Sequence, residues 1–305
     1  MKTTPVGKYA ANTRWLTILN FIVFTALLGT PSAFAATYYW STTTQQTWGT
    51  YAGWSDNPVS GGTLITSPLP TDSVVFNQSS VNGTETVLLN ANTPIAGITF
   101  NNTGTTTIQA TSVKFITNGS GGITIASGAG SVTFANGTTR PLSVALGASQ
   151  SWINNASAKT LLLNSSTTPS TVDLATYTLT IGGAGATTIN TAIGSTGGGG
   201  AITKIDAGIL TLTNANTYSG ATTISAGTLN TTTRSSGAGS YAVSDNATLA
   251  VSIAAAGQTL NMSSLTLGSS AGPSTLNITL GANDPTATVI TDVGALTLNG
   301  STTVN

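Results

Sequence analysis

Asp56, Asp72, Glu85, Asp173, Asp206, Asp245, Asp284 and Asp292 are the candidates for acid–base chemistry in a 305-residue chain that contains no histidine and no cysteine. Without those two residue types the commonest general base, the thiol nucleophile and the usual zinc ligands are absent. Serine is abundant but has no histidine partner, and no Ser-x-x-Lys replaces the triad. Hydrolysis by a pair of carboxylates is the one catalytic route left open, of the kind used on polysaccharides. No two acids lie closer than eight residues apart in sequence. Stacked coils could bring Asp173 to Asp206, whereas turn formation explains each aspartate singly.

Glycine-rich runs add no further chemistry. Gly197 to Gly200 lacks the Lys-Ser/Thr of a phosphate-binding loop and opens no helical pattern, so it reads as a turn. Gly182-Gly183-Ala184-Gly185 resembles part of a calcium-binding nonapeptide, but no aspartate follows where one is needed. No metal and no cofactor is expected. The aromatic block Tyr38, Tyr39, Trp40, Trp48, Tyr51 and Trp54 places six rings within seventeen residues. It suits a cap over an exposed apolar end, and Trp40, Trp48, Tyr51 and Trp54 are the candidates for stacking on glycan rings. Trp152 stands alone and reads as core.

The elements that must position these residues are strands. Only 5% of residues are charged while 39% are hydrophobic, and Thr, Ser, Asn and Gly fill the remainder. Such residues suit strands and turns rather than helix interiors. Apolar residues recur at i, i+2: Val87 and Leu89, Ile98 and Phe100, Val113 and Phe115, Ile123 and Ile125, Val132 and Phe134, and so on to Leu296 and Leu298. That alternation is the strand signature, and no 3.6-residue period persists. One such coil cannot bury its own apolar face, so it must stack on neighbours. The expected fold is all-β, a right-handed parallel β-helix (β-solenoid) with an N-terminal aromatic cap.

The run from Ala207 to Leu229 sets two short strands around a polar turn and closes on a glycine. It resembles the autotransporter-associated β-strand repeat, also called the passenger-associated transport repeat. Lys204, Gly208, Leu210, Leu212, Asn216, Thr217, Tyr218, Gly220, Thr222, Thr223, Ile224, Gly227, Thr228 and Leu229 carry the resemblance, and one full copy, 204–229, is visible. Asp206, Ile209 and Ala221 depart from the usual Gly, Thr and Gly. The resemblance implies a passenger segment of a bacterial surface protein, structural or adhesive and not an enzyme. A polysaccharide-binding or polysaccharide-degrading β-helix using aspartates is the alternative.

Lys2, Lys8 and Arg14, the apolar run 15–28 and the small residues Ala33, Ala35 and Ala36 predict a signal peptide over 1–35, cleaved after Ala35. A capping region over 36–85 and a β-helix over 86–305 complete the expected organisation, with the helix truncated at its C-terminus. Removal of the leader leaves five basic residues against eight acids, a net charge of −3. Five dispersed cations make no basic stripe, so nucleic acid is not an expected partner. Host or matrix glycans, other surface proteins and an outer-membrane translocator outside this chain are. The expected location is secreted or on the surface of a Gram-negative-type bacterium, reached by the general secretory route.

Overall fold

A computed structural model describes residues 35–40, 46–49, 53–58, 64–65, 67–77, 84–135, 140–164, 169–269, 272–280, 288–292 and 294–305. The expected leader through residue 34, which includes Ala33, lies outside them; Ala35 and Ala36 are described. The described residues contain no helix, and strands stack in parallel as a β-solenoid, as the alternation predicts. Its compact unit runs from Phe34 to Asn305.

Side chains at equivalent positions of successive coils form columns, because parallel strands in register place like positions one above another. One column runs Val74, Ile98, Ile123, Trp152, Ile181, Lys204, Ile224, Val243, Leu267. A second, on another sheet, runs Val132, Leu161, Thr187, Leu210, Leu229, Leu249, Leu276. A third and shorter ladder carries Ile116, Val144, Val172 and Ile193. Ordering a backbone residue costs about 1–2 kcal/mol, and burial of these predominantly apolar columns offsets it.

Trp152 fits an aliphatic column because a polar bracket serves its ring nitrogen. Its Nε1 donates to Gln150 Oε1 at 2.9 Å, the same oxygen accepts from Asn118 Nδ2 at 2.8 Å, and Gln150 Nε2 donates to the Asn118 carbonyl at 2.7 Å. All three residues are buried. A solvent-excluded indole keeps its hydrogen bond in this way.

At the N-terminal end the pattern changes direction. Thr37–Trp40 pairs in parallel with Ser73–Phe76, but Trp54–Ser55 lies antiparallel against Thr37–Trp40, and Leu64–Ile65 antiparallel against Trp54–Ser55. Ser73–Phe76 in turn pairs with Thr93–Phe100. Parallel register therefore continues across residue 86. Around Leu296, Leu298 and Val304, which are 60%, 57% and 62% exposed, lies a cavity of about 550 Å³.

One expected pair is corrected. Val113 and Phe115 are exposed, and Ile116 points inward instead. Register decides this, since Ile116 pairs with Val144, whose column is interior, and its immediate neighbour Phe115 must then face out.

Candidate functional site

The repeat coil spans Ala201–Lys204, Ile209–Leu212, Thr222–Ile224 and Thr228–Thr232. Leu210, Leu212, Ile224 and Leu229 occupy core columns and are buried. The spacing between coils shortens here: Ile123, Trp152 and Ile181 are 29 residues apart, while Lys204, Ile224 and Val243 are 20 and 19 apart. Shorter coils leave less chain for a third strand, and the segment 214–218 has none.

Asn216 takes over the pairing that a strand would have supplied. Its buried side chain accepts the Ile193 N–H at 3.0 Å and donates to Ser235 Oγ at 3.2 Å, and so reaches the coil on either side. The Thr217 N–H donates to the Ile193 carbonyl at 2.8 Å, while the Thr217 side chain is exposed. Tyr218 is buried, its hydroxyl 2.9 Å from that of Thr222, and it interacts electrostatically with Tyr241. Burial, reinforced by Tyr241, pushes the Tyr218 phenol well above the usual tyrosine range, so it stays protonated and able to donate.

Lys204 is the unexpected occupant of the core. It is 1% exposed in a column otherwise built of aliphatic and indole side chains. Its Nζ donates to the carbonyls of Ile205 at 2.5 Å, Asp206 at 2.7 Å and Ala226 at 3.3 Å, which joins its own coil to the next. Burial pushes the ammonium below the usual lysine range, and the Asp206 carboxylate pulls it partly back. The signal was present in the sequence as a lysine at the lead-in of the motif, but hydropathy assigns lysine to the surface.

Gly220 and Gly227 are required by geometry. A Cβ on Gly220 would lie 2.4 Å from the Gly200 carbonyl oxygen. Gly227 has φ +69°, and a Cβ there would lie 2.4 Å from the Asp206 carbonyl and 2.6 Å from that of Gly208, which is itself buried. Gly227→Val is expected to cost at least about 1–3 kcal/mol from backbone conformation alone, with the carbonyl overlaps adding to it. Urea denaturation of the purified variant measures this; a midpoint equal to that of the unaltered chain would show that the turn relaxes freely. Asp206 stands where the repeat usually has glycine and adopts φ +58°, a conformation aspartate tolerates better than most residues.

The aspartates serve the same architecture. Asp206 Oδ2 accepts the Gly183 N–H at 2.9 Å, and Asp173 accepts the N–H groups of Ala175 at 2.9 Å and Thr196 at 3.0 Å and the Thr196 hydroxyl at 2.8 Å. Asp245 accepts from the Ser269 N–H, Asp292 from that of Leu265 and Asp72 from that of Ala36. Apart from the local Ala175 bond, each of these bonds joins positions 23 to 36 residues apart. Burial raises the Asp173 carboxyl, but its hydrogen bonds outweigh that and hold it below the usual range, so it remains ionised. Asp173 and Asp206 thus spend their oxygens on different backbone groups. No cluster of three metal-ligating side chains occurs among the described residues.

The expected glycan platform is also corrected. Trp40, Trp48 and Trp54 are 0%, 1% and 0% exposed and pack edge to face, with ring centroids 4.8 Å apart for Trp40–Trp54 and for Trp48–Trp54. Phe76 closes the cluster from below, 5.6 Å from Trp54. These indoles bury more area against one another than a solvated ring could keep, so no face is left for a sugar. Tyr51 lies outside the described residues.

No curated protein and no solved structure matches the chain. Residues 202–230 match the model of the Passenger-associated-transport-repeat family, so the coil built around Lys204, Asn216 and Tyr218 carries the repeat that its motif resembles.

Proposed function

We propose that this chain is a surface-displayed or secreted passenger segment of an autotransporter-like protein, with a structural and adhesive role and no catalytic centre. The family-matched coil carries this reading, because it is paired in register both with Thr178–Gly182 before it and with Tyr241–Val243 after it and so belongs to a continuous stack. A solenoid of this kind is rigid along its axis and gives every inner backbone group a ladder partner, properties that suit a stalk in a protease-rich exterior. Absence of cysteine suits passage across an outer membrane as an unfolded chain, through a translocator outside this sequence, with folding coil upon coil outside.

Export is tested by expressing the chain in a Gram-negative host, with a translocator barrel appended, and sequencing the N-terminus of what proteinase K releases from intact cells. The expected product begins at Ala36 and resists further digestion. Chain retained in the cytoplasm with residues 1–35 attached would overturn the reading, as would release of reducing ends from polysaccharides by the purified protein.

A further inference from the structure

A shallow trough of about 310 Å³ runs across the outer surface of the third ladder, built from Leu142–Leu146, Thr171–Asp173 and Ala192–Gly194. Alternation along these strands turns Val144, Val172 and Ile193 into the core and leaves Ala145, Asp173, Ala192 and Gly194 on the outside. Small outward side chains on consecutive coils make the floor. Phe115 stands at one end, one coil before Ser143 in the same row and 42% exposed. Asp173 and Thr196 stand at the other, joined by the hydrogen bonds already described.

The geometry points to a binding site for an uncharged oligosaccharide, with Phe115 stacking on a sugar ring and Asp173 and Thr196 accepting from its hydroxyls. This assignment rests on the adhesive part of the reading above and gives it an address that the buried tryptophans do not provide. Several observations select the ligand class. The lining contains no lysine or arginine, and its one charge is negative, so phosphates, sulfated chains and uronic acids are repelled. The floor strands pair with one another in the parallel ladder, and the outer edge of Ala192–Gly194 is already taken at Ile193 by the Asn216 side chain and the Thr217 N–H, so an added peptide strand finds no free edge there. Thr196 donates its hydroxyl hydrogen to Asp173, which leaves both side chains as acceptors. A polyol ring is rich in donors and has apolar faces, and it complements an aromatic plate with acceptors across a small-residue floor.

The test uses the purified chain against immobilised hexasaccharides of β-1,4-glucose, α-1,4-glucose, β-1,4-N-acetylglucosamine and mannose, with hexagalacturonate and hexalysine as charged controls. Phe115→Ala removes the ring from an exposed position. Gly194→Val fills the floor, where a Cβ would meet only Thr217 Oγ1 at 3.4 Å. The expected result is binding of at least one neutral hexasaccharide, weakened about tenfold or more by each variant while the urea midpoint stays unchanged. Binding of no neutral sugar, stronger binding of either charged control, or neutral-sugar binding that survives both variants would overturn the assignment. Because the measurement is made in solution, it stands apart from the export experiment: a chain that binds sugar but stays inside the cell refutes display and leaves the trough intact.

Discussion

Trp54→Ala is expected to lower the free energy of unfolding by about 3–5 kcal/mol, the range for deleting a fully buried large aromatic side chain. The ring is 0% exposed and touches Trp40, Trp48 and Phe76 at once, and its Nε1 donates to the Trp48 carbonyl at 2.8 Å. Truncation therefore opens a cavity and strands a buried acceptor in a single step. Trp54–Ser55 is also the strand that turns the edge of the parallel stack antiparallel, so loss of its anchor exposes Thr37–Trp40. Urea denaturation followed by tryptophan fluorescence measures the loss, and hydrogen exchange at 37–40 and 73–76 locates it. A ring held at the surface for sugar binding would cost almost nothing on removal, so a change below about 0.5 kcal/mol would contradict the packing described.

Glu85→Gln is expected to abolish a stabilisation of the fold by acid. Glu85 is 1% exposed, one register position below Thr106 in a column that becomes aliphatic at Val132. Burial raises its carboxyl to about 7 from 4.5, against the opposing pull of the nearby Trp40 indole N–H and of the Asn102 amide, which donates to it at 2.6 Å. The folded chain holds this proton more tightly than the unfolded chain does. The resulting stability is fully present below about pH 4.5 and is lost as pH rises through about 7. At most about 3 kcal/mol is involved, from 1.36 kcal/mol per pKa unit. Glutamine keeps the shape and the acceptor for Asn102 without a charge, so the variant should be the more stable protein at pH 8 and should match the unaltered chain near pH 4.5. Urea midpoints across this range decide it: parallel curves for the two proteins would assign the titration elsewhere.

Both predictions concern the end of the stack at which sequence reasoning was least complete. The aromatic block was visible as a cluster, and its burial follows from ordinary packing. That Glu85 lies beneath Trp40 was not visible, because the contact joins residues 45 positions apart through coils of unequal length. Coil length also hid the repeats: with spacings as different as 19 and 29 residues, no fixed period marks the columns, and only the coil with the family motif declares itself. The trough was illegible for the same reason. Phe115, Ala145, Asp173 and Gly194 share no motif, and an alternating strand does not by itself say which of its two faces is outside.

From the residues alone followed the all-β class, the stacking of incomplete coils and the repeat motif, because side-chain alternation, low charge and turn-forming residues are local properties that hold in any register. Tertiary structure decided what register controls: Ile116 rather than Phe115 in the core, Lys204 inside among carbonyls, Asn216 in place of a missing strand, and aspartates as ties between coils. A strand shifted by one residue exchanges its faces completely, so each of these placements depends on the coils above and below it.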